Sequence, residues 1–141
     1  MHPRSIAHVI GTLLLVIGAA MVLPLLTTLF YDENDLQSIL ISMAIVLALG
    51  GSLRFFNPDV LELTIRDAVV VTVFGWSIIC AVSTLPFLIS GAIPSFTDAF
   101  FEMMSGFTTT GATILNNIES LDHGLLMWRS ETHFLGGMGF L

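Results

Sequence analysis

Three stretches of this chain contain no charged side chain at all: residues 5–31, 36–53 and 68–97, which are 27, 18 and 30 residues long. A charge near the centre of a bilayer costs about 2.5–3.5 kcal/mol on insertion scales. Windows of this length, filled with Leu, Ile, Val and Ala, therefore mark membrane spans of about 20 residues each. The remaining composition points the same way. Charged residues make up 11% of the 141, against about 25% in an ordinary globular chain, and mean hydropathy is +0.91. A surface so poor in charge faces something other than water, and the lipid bilayer is the partner it fits. Nucleic acid is excluded, because a net charge of −7 with four arginines and no lysine cannot neutralise a phosphate backbone. The single Cys80 excludes a disulfide framework and a thiolate metal site.

The first window reads as a span and not as a cleaved leader, since its apolar run reaches Phe30, beyond the core of about 7–15 residues typical of a signal peptide. Pro24 inside it is tolerable, because a membrane helix re-satisfies the freed carbonyl locally. The second window carries Gly50-Gly51 and closes at Arg54. The third is punctuated by Pro86, Gly91 and Pro94, which predicts a helix over 68–90 and a turn over 91–94. Arg4, Arg54 and Arg66 fall on one side of these spans, and Asp32, Glu33 and Asp35 on the other. Basic residues are retained inside, so the N-terminus is expected in the cytoplasm. The cytoplasmic connector 54–67, with Asn57-Pro58 as its turn, separates a two-helix hairpin over 1–53 from a second unit over 68–141.

After Pro94 the pattern changes. Ser95 with Asp98 three residues later reads as a helix start, a side-chain oxygen on orphan N–H groups with an acid in the first turn. The predicted helix, within 95–106, has only about ten residues, near 15 Å at 1.5 Å per residue, half a membrane. It runs into Thr108-Thr109-Thr110-Gly111-Ala112-Thr113, within a loop placed at 107–114. Irregular backbone at membrane depth is tolerated only where it lines a water-filled cavity or is buried in protein. Small and β-branched residues around a glycine that can adopt unusual angles let carbonyls line up on one side, as in filters that replace an ion's hydration water. The C-terminal end of a half-helix adds about half a negative charge. A plain polar break between two spans, its threonines hydrogen-bonding between helices, stays open on these residues alone. A phosphate loop does not: Ala112 stands where that motif needs lysine.

The run Asp98-Ala-Phe-Phe-Glu-Met-Met-Ser-Gly-Phe-Thr-Thr-Thr-Gly-Ala-Thr, followed by Trp128-Arg-Ser and Gly136-Gly-Met-Gly, closely resembles the Trk potassium-uptake proteins, the TrkH branch of the Trk/Ktr/HKT superfamily. The likeness covers nearly the whole chain and is sharpest from Arg66 onward, where Arg66-Asp67, Trp76 and Leu85-Pro86-Phe87 also match. It implies an all-α integral membrane protein: an N-terminal two-helix hairpin, then the first of four helix–pore loop–helix repeats around one pore, with its second helix, from about 128, cut short. It implies potassium as the transported ion, coordinated by Thr109, Thr110 and Gly111 and flanked by Thr108, Ala112 and Thr113. A serine at the Gly111 position is associated with sodium permeation in relatives, so glycine favours potassium. The implied partners are the other three repeats, a second copy in a homodimer, and a cytoplasmic nucleotide-binding regulatory subunit of the TrkA type. The implied setting is the bacterial inner membrane. No cofactor and no transition-metal site are implied. The chain then reads as an N-terminal piece, and Glu131-Thr132-His133 departs from the family's aromatic-rich stretch.

Other residues invite competing readings. Asp98 and Glu102, one turn apart, could face an outer vestibule and concentrate cations; the helix start is the favoured role for Asp98, and Glu102 stays open. Trp128 reads as an interfacial aromatic at the outer surface. His8 reads as an interface residue near the end of the first span. His123 and His133, placed on different elements, make no metal pair. Cys80 reads as a packing thiol, and Gly136, Gly137 and Gly139 as close helix packing. A small membrane scaffold with a polar re-entrant loop is the competing function. An intramembrane hydrolase lacks an aspartate pair or a Ser/His dyad at membrane depth.

Overall fold

The computed structural model describes residues 3–57 and 64–138. Pro58 of the expected turn, the rest of connector residues 58–63, and Gly139 lie outside the described residues. Seven α-helices follow in order: α1 (Pro3–Ala20), α2 (Val22–Tyr31), α3 (Leu36–Phe56), α4 (Ile65–Ser83), α5 (Leu85–Ser90), α6 (Phe96–Phe107) and α7 (His123–Gly137), with one 3-10 turn at Ile118–Ser120. Among the described residues there is no strand. The fold is all-α, as expected.

Among the described residues, three helical runs are long and apolar enough to cross a membrane: Pro3–Tyr31, Leu36–Phe56 and Ile65–Ser90. Only 39%, 22% and 33% of their most apolar windows are buried within the chain, so most of each faces outward. Leu26, Phe30, Phe55, Val73 and Phe74 are among the exposed side chains. In water that surface would drive aggregation; against lipid or further helices it is satisfied.

Two of the runs break where proline removes a donor. Pro24 cannot serve the carbonyl of Ala20, and α1 ends at Ala20. Pro86 has the same effect on the turn joining α4 to α5. There the Phe87 N–H turns to Thr84 O at 3.0 Å, and Ser83 O is taken instead by the indole N–H of Trp128 at 3.0 Å. Trp128 is therefore fully buried, which corrects its reading as an interfacial aromatic: its polar handle is used inside.

The hairpin is held by close backbone approach. A Cβ on Gly11 would come within 2.9 Å of Gly50 O, and one on Gly50 within 2.9 Å of Gly11 O, so α1 and α3 meet where both lack side chains. At one end His8 Nδ1 lies 2.7 Å from Asn57 O, and Arg54 donates to Thr12 Oγ1 at 3.1 Å. The helix expected from residue 68 opens at Ile65, capped by Thr64 and Asp67 in reciprocal hydrogen bonds. Charge-free windows mark hydrocarbon, whereas a first turn accommodates Asp67 against the helix dipole.

The hairpin and the second unit share one core. α1 packs on α4, α3 on α5, and α2 on α7, around Leu14, Ile17, Ile79, Phe87, Met103 and Trp128. Cys80 is buried in it with Sγ 3.8 Å from Met104 Sδ. A second tie reaches α7 from the α2–α3 turn. Glu33 accepts from the His123 backbone N–H at 2.6 Å and pairs with His123 Nδ1 at 2.5 Å, while the Tyr31 ring stacks on the His123 ring at 4.0 Å. Glu33 thus caps a helix from 90 residues away. α7 opens at His123, not near residue 128, and carries both His123 and His133 on one element.

Candidate functional site

α6 builds one side of the site. Ser95 caps it, accepting from the Asp98 N–H at 3.4 Å, and its 12 residues span about 18 Å at 1.5 Å per residue. It ends against α7 at two contacts that exclude any side chain. A Cβ on Gly106 would fall 2.3 Å from Thr132 Oγ1, and one on Gly136 would fall 2.1 Å from Phe107 O. Gly136 is thus a packing glycine, whereas Gly137 makes only ordinary contact with Thr109. Thr132 belongs to this contact and donates to Arg129 O at 2.7 Å, which accounts for part of the unusual Glu131-Thr132-His133 run.

The chain leaves α6 as an exposed loop through Thr108, Thr109, Thr110, Gly111, Ala112 and Thr113. Its backbone is unusual. Thr109 has φ +56° and Gly111 has φ +76°, and Thr110 between them keeps a negative φ. A β-branched residue in the left-handed region costs about 1–3 kcal/mol and persists only where its surroundings over-determine it. Here they do. The Thr109 N–H donates to Gly106 O at 2.9 Å and the Thr110 N–H to Ser105 O at 3.0 Å. Thr108 Oγ1 donates to Met104 O at 2.7 Å and lies 2.8 Å from Thr110 Oγ1, so the Thr110 hydroxyl supplies the proton between them.

The far end of the loop is clamped to the middle of α6. Glu102 is fully buried, and its carboxylate accepts from Thr113 Oγ1 at 3.0 Å, from the Ile114 N–H at 3.2 Å and from Arg129 Nε at 2.6 Å. This corrects the vestibule reading of Glu102, which faces the loop and Arg129 and not open space. Asp98 stands exposed in the first turn of α6, so the two acids do not share an environment. A carboxylate buried this deeply needs a countercharge and donors, and it has both. Arg129 and Ser105 were not singled out from sequence. Arg129 left a trace, because charges at membrane depth pair with one another and few others lie in this segment. Ser105 left none.

At the α2–α3 turn, burial would raise the Glu33 carboxyl, but hydrogen bonds from the ring and backbone of His123 hold it below its ordinary value. Asp35 behaves oppositely. Burial pushes it up, the Thr28 hydroxyl beside it eases this only in part, and the Asp122 and Glu33 charges add to the rise. Its carboxylate oxygens are buried without a hydrogen-bond partner, since Thr28 gives its proton to Pro24 O at 3.1 Å. Among the described residues no group of three or more His, Cys, Asp and Glu side chains is placed to hold a metal ion.

The family described as TrkH, cation transport protein, matches residues 35–141. The Trk system potassium uptake protein TrkH of Escherichia coli K12 is 35% identical over the whole chain, and TrkG of the same organism is 32% identical over 99% of it. The crystal structure of the potassium transporter TrkH from Vibrio parahaemolyticus superposes on 99% of the chain with a TM-score of 0.91 at 34% identity. The chain spans about 30% of the length of each of these relatives. The relatives are transporters and not enzymes, and their likeness joins the apolar helices in marking a multi-pass membrane protein. With the family match extending over most of the sequence and the whole described fold superposing on a solved transporter, the chain belongs to the TrkH family of cation transport proteins.

Proposed function

We propose that this chain contributes to potassium uptake by supplying the first of four filter strands, residues 108–113, with Thr109, Thr110 and Gly111 offering backbone carbonyls to the ion. The observation that carries this reading is the alternation of φ sign over Thr109, Thr110 and Gly111. In an extended strand successive carbonyls point to opposite sides. Alternating left- and right-handed residues turn successive peptides to one side, the arrangement that a cation lined by carbonyl oxygens requires. Strain kept in place by hydrogen bonds at both ends is the form in which a site is preorganised. The C-terminus of α6 adds negative potential at the start of the strand.

The same reading assigns the other three strands to three further repeats of one polypeptide, the membrane to the bacterial inner membrane with the N-terminus in the cytoplasm, and the remaining partners to a second copy and a TrkA-like regulatory subunit. It rests on the family's architecture and on the placement of Arg4, Arg54 and Arg66. The test is Gly111→Ser in the full polypeptide, with potassium and sodium uptake measured in cells lacking their own potassium transporters. The sodium-to-potassium ratio should rise. An unchanged ratio in a normally expressed variant would overturn the assignment of this loop to the filter.

A further inference from the structure

Ser105 lies outside the Thr-Thr-Thr-Gly run and on the last turn of α6, buried. It grips the loop twice. Its hydroxyl donates to Ala112 O at 2.6 Å, and its own carbonyl accepts the Thr110 N–H at 3.0 Å. One residue of the half-helix therefore holds the strand on both sides of Gly111.

The carbonyls of the loop divide accordingly. Thr108 O is engaged by Thr109 Oγ1 at 2.7 Å, and Ala112 O by Ser105. Between them, among the described residues, no donor meets the carbonyls of Thr109, Thr110 or Gly111. We infer that Ser105 is a specificity-determining positioning residue: its hydroxyl holds the Ala112 carbonyl out of the ion path and limits the strand to the three carbonyls of Thr109, Thr110 and Gly111. This rests on the filter reading above. A carbonyl that accepts a short hydroxyl hydrogen bond has one lone pair used and its direction fixed. Released, the Ala112 peptide has room to turn, because a recess of about 170 Å³ bounded by Phe101, Met104, Ser105, Thr108, Thr110 and Ala112 adjoins it. Discrimination among monovalent cations depends on the number and field strength of the carbonyls that coordinate them. A fourth carbonyl from this strand would change which ion is preferred, and not merely how much protein folds.

The experiment compares Ser105→Ala, Ser105→Thr and Gly111→Ser in the full polypeptide, reconstituted in vesicles, with potassium and sodium flux measured in each and folded protein quantified by gel filtration. Ser105→Ala should lower the potassium-to-sodium flux ratio about three- to tenfold, the range one such hydrogen bond is worth. Ser105→Thr, which keeps the hydroxyl, should hold the ratio near the parent's. A parent-like ratio in Ser105→Ala beside a shifted ratio in Gly111→Ser overturns the role of Ser105 and leaves the filter reading standing. Equal loss of both fluxes in Ser105→Ala also overturns it, as the mark of a purely structural residue. If neither variant moves the ratio, the filter reading falls and takes this inference with it.

Discussion

Arg129 on α7 donates its Nε–H to the buried carboxylate of Glu102 on α6 at 2.6 Å, and the same carboxylate holds Thr113 and Ile114 at the far end of the Thr-rich loop. The loop is thus fixed by an ion pair that joins the half-helix to the helix that follows it. Removing one member leaves the other charge uncompensated at low dielectric. Glu102→Ala should destabilise the folded protein by about 3–5 kcal/mol, read as a lower unfolding midpoint in detergent. The double variant Glu102→Ala with Arg129→Met should recover part of that loss; additive losses would show that the pair is not coupled.

The contact between α6 and α7 leaves no space for a methyl group at Gly136, where a Cβ would meet Phe107 O at 2.1 Å. Gly136→Ala should cost about 1–3 kcal/mol, as overpacking of a tight interface does. Gly51 on α3 has nothing within 4 Å of an added Cβ, so Gly51→Ala should gain up to about 1 kcal/mol from helix propensity. Thermal unfolding of the two variants side by side checks the contrast. Equal effects would contradict the packing described.

Trp128→Phe keeps an aromatic ring at the core site, with a small cavity where the rest of the indole was, and removes the N–H that serves Ser83 O. A buried carbonyl left without a donor costs about 1–3 kcal/mol. The expected result is a lower unfolding midpoint with unchanged helix content by circular dichroism. No change in the midpoint would mean that Ser83 O finds another donor.

Acid should act on the α2–α3 turn through two groups of opposite sign. The Glu33 carboxyl lies below its ordinary value of 4.5, so the stability it contributes is full above that value and is lost as pH falls through its lowered folded value. Asp35 is raised from 3.8, so its ionised form opposes folding at neutral pH and ceases to do so in acid. Glu33→Gln should flatten the acid limb of the stability profile. Asp35→Asn should raise stability at pH 7 and leave it unchanged near pH 3. Unfolding midpoints across that range decide both.

The spans were legible because charge is so costly in hydrocarbon that its absence over 5–31, 36–53 and 68–97 leaves one option. The half-helix was legible from Ser95, Asp98 and the glycines after it. What escaped were relationships between distant residues. Nothing local to Trp128 tells whether its indole meets lipid headgroups or a carbonyl left open at the turn between α4 and α5, because the same amphipathic ring suits both. Glu102 likewise suits a vestibule or a buried pair until Arg129 is brought across from α7. The start of α7 was placed five residues late because its cap is Glu33, remote in sequence. The left-handed Thr109 was not legible either, since β-branched residues ordinarily avoid that region.

An ion seated against this loop is the most direct mark of a filter strand. Crystals of the full polypeptide grown in rubidium or thallium should show an anomalous peak within coordination distance of the carbonyls of Thr109, Thr110 and Gly111, and none against Ala112 O. Occupied pore density that bypasses these three carbonyls would contradict the filter reading.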